Sequence, residues 1–241
     1  MKQHEAVIKV MEENGGFATF KHLYQNVLDV KGPEWKTKTP YASIRRIVQD
    51  SRFFFKIRPG LWALKSDSKE VLGRFGIENR KDKNSQNKFS HYYFQGLLVE
   101  TGNLKGYGTV VPAQDKNRRY LEKSLSDVTS ISKIPEFTYD KIMRYARTVD
   151  VAWFNQRLLP FSFFEVEIST DIINSLNKFV ELQDFNSNFF VIADKLRYRE
   201  FEQKLSMRPY DEVKERIIFR DTEWVVKSYE NAFQFKALQE G

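Results

Sequence analysis

The segment Phe161-Ser162-Phe163-Phe164-Glu165-Val166-Glu167-Ile168 constrains the fold of this chain more than any other stretch. Its bulky apolar residues argue for a strand buried inside a sheet, and side chains two apart on a strand share a face. Glu165 and Glu167 therefore lie side by side on an inner strand. Two carboxylates placed so lose hydration and repel each other, and they need compensation.

Asp150 heads a second apolar strand, Asp150-Val151-Ala152-Trp153-Phe154, fifteen residues upstream of Glu165. If the two strands are antiparallel neighbours joined through a turn over 155–160, Asp150 comes close to Glu165. A divalent cation is then the economical compensation, and hard oxygen ligands of this kind suit Mg²⁺. The alternative is a half-exposed edge strand with both glutamates on its wet side.

Composition removes competing chemistries. Cys is absent, which excludes disulfides, thiolate metal sites and cysteine nucleophiles. The three histidines, His4, His22 and His91, have no spacing that puts two on one helix face or hairpin, so histidine-rich metal centres and a serine–histidine triad are disfavoured. No run approaches the length of a membrane span, and the start carries no signal-peptide pattern, so the expectation is a cytoplasmic protein with no membrane partner. The net charge of +7 is unevenly spread. Residues 1–65 hold 12 Lys+Arg against 6 Asp+Glu, residues 66–90 hold 6 against 4, and residues 91–241 hold 21 against 22. The positive excess is mostly a property of the first third.

That third has its own pattern. Ala6, Val7, Val10 and Met11 take helical spacing up to Asn14-Gly15-Gly16. Phe20, Leu23, Tyr24, Val27 and Leu28 make a second helical face with Thr19 as its cap, and a third helix starts at Thr39-Pro40. The third helix turns Tyr41, Ile44, Ile47 and Val48 inward and Ser43, Arg45, Arg46 and Gln49 outward. The period then changes to two over residues 53–58 and 61–64, joined by Pro59-Gly60. Three helices and a hairpin form the plan of a winged helix-turn-helix, in which the third helix enters the major groove and the hairpin lies along the backbone or minor groove. The DNA-binding candidates are Ser43, Arg45, Arg46, Gln49, Lys56 and Arg58. A three-helix packing module with a solvated arginine face is the bland alternative.

Residues 66–90 lose periodicity and read as a polar tether, with Val71, Leu72 and Phe75 able to dock on a neighbour. From His91 onward the pattern is mixed α/β. Helices are expected over 92–101, 117–128, 138–145, 171–182 and 198–204 and at the end of the chain. Strands are expected over 108–111, 149–154, 161–168, 189–193 and 216–219. The polar cluster from Gln114 to Arg119 is a loop or helix start, or a DNA-facing surface. Lys178, Lys195 and Arg197 are candidates for phosphate contact or ordinary surface.

Two family resemblances follow. Ala6 to Leu64, ending in the aromatic hairpin with Pro-Gly-Leu-Trp at its tip, resembles the HARE-HTH class of winged helices. Asp150 followed by Glu165-Val166-Glu167, within Phe164-Glu165-Val166-Glu167-Ile168-Ser169-Thr170, resembles the PD-(D/E)xK nuclease motif in a Glu-Val-Glu variant. Leu98-Val99-Glu100-Thr101-Gly102 is similar to that family's first helix. The resemblance implies that Asp150, Glu165 and Glu167 are catalytic and that Asp150 and Glu165 hold Mg²⁺ with help from Glu100. It departs at Glu167, where most members have lysine, and at Val149, where many have proline.

The expectation is therefore a winged helix over 1–65, a linker over 66–90 and a restriction-endonuclease-like mixed sheet flanked by helices over 91–241. The function expected is Mg²⁺-dependent, type II restriction-like hydrolysis of double-stranded DNA. One such site cuts one strand, so a double-strand break calls for a homodimer or transient pairing. The competing expectation is a non-catalytic DNA-binding regulatory or accessory protein with a degenerate nuclease fold.

Overall fold

The structure, a computed structural model, describes residues 1–79 and 81–240. Arg80, within the stretch read as a tether, and Gly241 lie outside the described residues. The chain divides into two compact units, Met1–Gln86 and Asn87–Gly241.

In the first unit, α1 (Gln3–Glu13), α2 (Phe20–Asn26) and α3 (Pro40–Ile47) bury Val7, Met11, Leu23 and Ile44 completely. Thr19 caps α2 by accepting from the His22 amide. Thr39 precedes Pro40 without capping α3; its hydroxyl meets that of Thr37 instead. A hairpin of β2 (Phe54–Arg58) and β3 (Leu61–Leu64) follows, and β1 (Phe17–Thr19) joins it in an antiparallel sheet of order β1-β3-β2. Gly16 feeds β1 at φ +87°, and a Cβ there would sit 2.7 Å from the Asp67 carboxylate, so both backbone and space require glycine.

The polar stretch 66–90 is more ordered than its composition suggests. Its first part holds α4 (Ser68–Arg74), with Val71 and Ile77 buried, and α5 begins at Lys83, running to Leu104. The opening turns of α5 carry few apolar residues and show no amphipathic period, which hides them from a pattern search.

The second unit is built on five strands: β4 (Gly108–Val110), β7 (Val151–Phe154), β8 (Pro160–Glu167), β9 (Asn188–Ala193) and β10 (Ile217–Asp221), in the order β10-β9-β8-β7-β4. The β4–β7 and β7–β8 pairs are antiparallel, and the β8–β9 and β9–β10 pairs are parallel. Each parallel step needs a crossover, supplied by α8 (Ile172–Glu181) and α9 (Tyr198–Leu205). The segment expected as a helix over 117–128 is instead a small hairpin, β5 (Arg119–Tyr120) and β6 (Lys123–Ser124), followed by the single turn α6 (Leu125–Val128). Leu121, at φ +52°, turns the chain between those strands and breaks any helix there. α7 (Asp140–Ala146) and α10 (Thr222–Glu240) complete the unit.

Alternation along the strands sorts the two faces of the sheet. Phe154, Phe163, Phe189 and Val191 pack with Ile172, Leu176 and Phe179 of α8. On the opposite face Trp153 and Phe164 lie together, Phe190 stacks on Phe164 and Trp224 of α10, and the Trp153 indole donates to Leu98 O of α5. β8 occupies the centre of the sheet, between β7 and β9. This is the mixed α/β class expected, a mixed sheet flanked by helices.

Candidate active site

β8 is apolar enough to be buried on both faces, and its period of two delivers Glu165 and Glu167 beneath α8. They are 3% and 5% exposed. Asp171 caps α8 by accepting from the Ile173 amide, which fixes where the helix begins. Ser175 and Lys178, three residues apart and so on one helical face, then meet the two glutamates. Lys178 Nζ lies 2.9 Å from both Glu165 oxygens and donates also to Thr148 O at 2.8 Å. The fully buried Ser175 hydroxyl lies between Glu165 Oε2, at 3.2 Å, and Glu167 Oε1, while Thr170 Oγ1 donates to Glu167 Oε2. On this face the compensation that paired buried carboxylates require comes from one ammonium and two hydroxyls.

The register pairs Val151 with Phe164, which brings Asp150 to the level of Glu165 across the antiparallel strands. Asp150 Oδ2 accepts from the Val166 amide at 2.7 Å. Burial pushes Asp150 up to about 7, opposed by that amide. Burial also pushes Glu165 up to about 8; the Asp150 charge adds to the rise and Lys178 opposes it.

The other side of Asp150 holds residues that the sequence pattern does not single out. His91 and Gln95, one helical turn apart on α5, both reach it. His91 Nε2 stands 3.7 Å from Asp150 Oδ1 while its Nδ1 is 2.9 Å from Val166 O. Gln95 Nε2 donates to Asp150 O at 2.6 Å and to Asp115 Oδ2 at 3.1 Å. Asp115 belongs to the polar loop after β4, yet it is turned inward and 7% exposed. One ligand atom each from His91, Asp115 and Asp150 lies within 4.8 Å of the others. No spacing in the sequence links positions 91, 115 and 150.

Glu100 is engaged elsewhere. Nine residues along α5 amount to about two and a half turns, which places it on the helix face opposite His91. There its Oε2 accepts from Tyr120 at 2.9 Å and from Tyr229 at 2.6 Å. Gly96 makes room for the Tyr120 ring against the helix, where any side chain would collide with it. Arg197 is likewise occupied, donating to Glu167 O, Thr170 O and Glu200, whereas Lys195 is exposed.

In the first unit, Arg46, Gln49 and Lys56 are exposed, and Ser43, Arg45 and Arg58 are half-buried. Arg45 donates to the Tyr24 hydroxyl at 2.6 Å and lies over the Phe20 and Tyr24 rings. Arg58 donates to Ile57 O and to the Gln86 backbone and side-chain carbonyls. Among the described residues no helix is long and apolar enough to cross a membrane.

Residues 76–223, well over half of the chain, match the family described as type II restriction enzyme NmeDI C-terminal domain. No curated protein and no solved structure matches. The matched segment contains every strand of the five-stranded sheet and all the acids, the histidine and the lysine gathered around Asp150 and Glu165. The chain belongs to the type II restriction enzyme NmeDI C-terminal domain family.

Proposed function

We propose that this chain is a divalent-cation-dependent endonuclease of type II restriction type that hydrolyses phosphodiester bonds in double-stranded DNA, with Mg²⁺ as the expected cofactor. The observation that carries the reading is the convergence of Asp150 and Glu165 across β7 and β8, inside the segment that matches a restriction-enzyme family. Buried acids whose pKa values rise in this way suit proton handling better than stability.

The donor set fits a hard or borderline cation at Asp150, because Oδ1 faces away from the Val166 amide and toward other ligand-type atoms. There a cation would polarise phosphoryl oxygens and make water more acidic. The chain's own groups do the rest. Val166 N–H fixes the orientation of Asp150. Glu165, tied to Lys178, holds an ammonium beside the cluster, where the resemblance would otherwise place a lysine at position 167. That ammonium is suited to offset charge on a pentavalent phosphate. In its ionised form Glu165 is placed to take up a water proton, and Glu167, bonded to Ser175 and Thr170, braces it. The first unit has the helix order and hairpin of a winged helix; Arg46, Gln49 and Lys56 would face DNA, with Ser43, Arg45 and Arg58 at the margin. Two chains acting together would complete a double-strand break.

The test is incubation of phage or genomic DNA with Mg²⁺ or Mn²⁺, comparing the wild type with Asp150→Asn and Glu165→Gln. Site-specific fragments are expected from the wild type, with a loss of at least ~100-fold in either variant, the scale of removing a group that stabilises a transition state. DNA binding without cleavage in any metal would identify a non-catalytic accessory protein instead.

A further inference from the structure

We infer that His91, Asp115 and Asp150 form a cation site of mixed nitrogen and oxygen ligands, which takes a first-row transition ion in preference to Mg²⁺. The histidine carries the argument. Its Nδ1 is 2.9 Å from Val166 O, an acceptor, so Nδ1 bears the hydrogen, and in the neutral ring Nε2 presents a lone pair. That lone pair faces Asp150 Oδ1 at 3.7 Å, which is beyond hydrogen-bonding range. Two such acceptors confronting each other are repulsive until something positive, a proton or a metal ion, lies between them. Ligand atoms each about 2.1 Å from one ion are about 3.4 Å apart at the tetrahedral angle and about 3.6 Å apart at 120°. The observed gap suits a shared ion. A backbone carbonyl accepting the remote N–H of an imidazole is also the usual way a metal-binding histidine is held.

The second observation concerns a residue outside the ligand set. Gln95 is fully buried, and its Nε2 must point as it does, because both of its partners are acceptors, Asp150 O and an Asp115 oxygen. The amide oxygen, Oε1, is then left buried beside those acids with no hydrogen-bond partner among the described residues. Leaving a buried acceptor unmatched is costly, and water bound to an ion in this site would supply the missing donor. An imidazole among the ligands favours transition ions, whose affinity for nitrogen and oxygen sites exceeds that of Mg²⁺.

The inference deepens the nuclease reading through Asp150, which both share, but binding can be measured without cleavage. Mn²⁺ is titrated into the full chain and the free ion followed by its paramagnetic resonance; the bound ion is then examined for coupling to a ¹⁴N nucleus. One Mn²⁺ per chain, held at least ~10-fold more tightly than Mg²⁺, with imidazole nitrogen coupling, is expected. His91→Ala and Asp115→Asn should weaken binding by ~10–100-fold or more, while Glu165→Gln stays within ~3-fold. The nitrogen signal is read on the unsubstituted protein, so a variant that fails to fold does not decide the outcome. Bound Mn²⁺ without nitrogen coupling, or binding lost in Glu165→Gln and kept in His91→Ala, overturns the inference and leaves a metal-dependent nuclease standing. Absence of Mn²⁺ binding overturns the inference as well. Binding with nitrogen coupling but no cleavage of any DNA keeps this site and refutes the nuclease.

Discussion

Replacing Lys178 by alanine isolates the charge balance under α8. At 2.9 Å and an effective dielectric constant of about 20, a Lys178–Glu165 pair has a gross Coulomb attraction of about 6 kcal/mol. Desolvation of both groups, and the 23% exposure of the lysine side chain, reduce the net cost of losing it to about 2–3 kcal/mol while Glu165 is ionised. Ionisation depends on pH. Burial raises Glu165 from 4.5 to about 8, so between those values the folded chain keeps a proton that the unfolded chain has released. Stability therefore falls as pH rises through that window and levels off above it. Lys178 stabilises only the ionised form. The substitution should accordingly cost ~1 kcal/mol or less at pH 6, the worth of a hydrogen bond, and ~2–3 kcal/mol at pH 9. Urea unfolding in EDTA at both pH values measures this, and a cycle with Glu165→Gln extracts the coupling between the two residues. Equal costs at pH 6 and pH 9, or no coupling at pH 9, would refute the reasoning.

Arg197→Ala removes two donors at 2.7 Å to the carbonyls of Glu167 and Thr170. A loss of about 2 kcal/mol by chemical denaturation is expected, because bonds from a charged donor are worth about 1.5–3 kcal/mol and these are only partly buried. In the first unit, Arg46→Ala and Lys56→Ala should each lower the slope of log affinity against log salt by about 0.9 if each contacts one phosphate, as read by fluorescence anisotropy on duplex DNA. Unchanged slopes in both would remove that face from the DNA interface.

How much was legible in advance depended on how local the cause was. β7 and β8 announced themselves through runs of bulky apolar residues, and Pro-Gly punctuation marked the β2–β3 hairpin. β1 is three residues long and exists because Phe17 pairs with Ala63, a partner more than forty residues away, so nothing around it signals a strand. The spacing of Leu121, Leu125 and Val128 imitates a helix, and only the turn at Leu121 reveals a hairpin. Within the site, the facing of Glu165 and Glu167 follows from strand geometry alone. The partnership of Glu165 with Lys178 depends on how the β8–β9 crossover lays α8 across the sheet. His91 and Asp115 meet Asp150 through tertiary packing that no spacing rule encodes. Glu100 shows the converse: its motif context suggested the cluster, but helix rotation delivers it to Tyr120 and Tyr229.

β8, which carries both glutamates, is flanked by strands on both sides, whereas β4 and β10 form the margins of the sheet. Its amides belong to the class that exchanges with solvent only when the whole unit opens, not through local fraying. Deuterium uptake at Phe164–Glu167 should then report the global stability of the second unit. The acids that would handle protons are thereby set in the least yielding part of the protein, and whatever must move to admit a DNA backbone belongs to the loops around them.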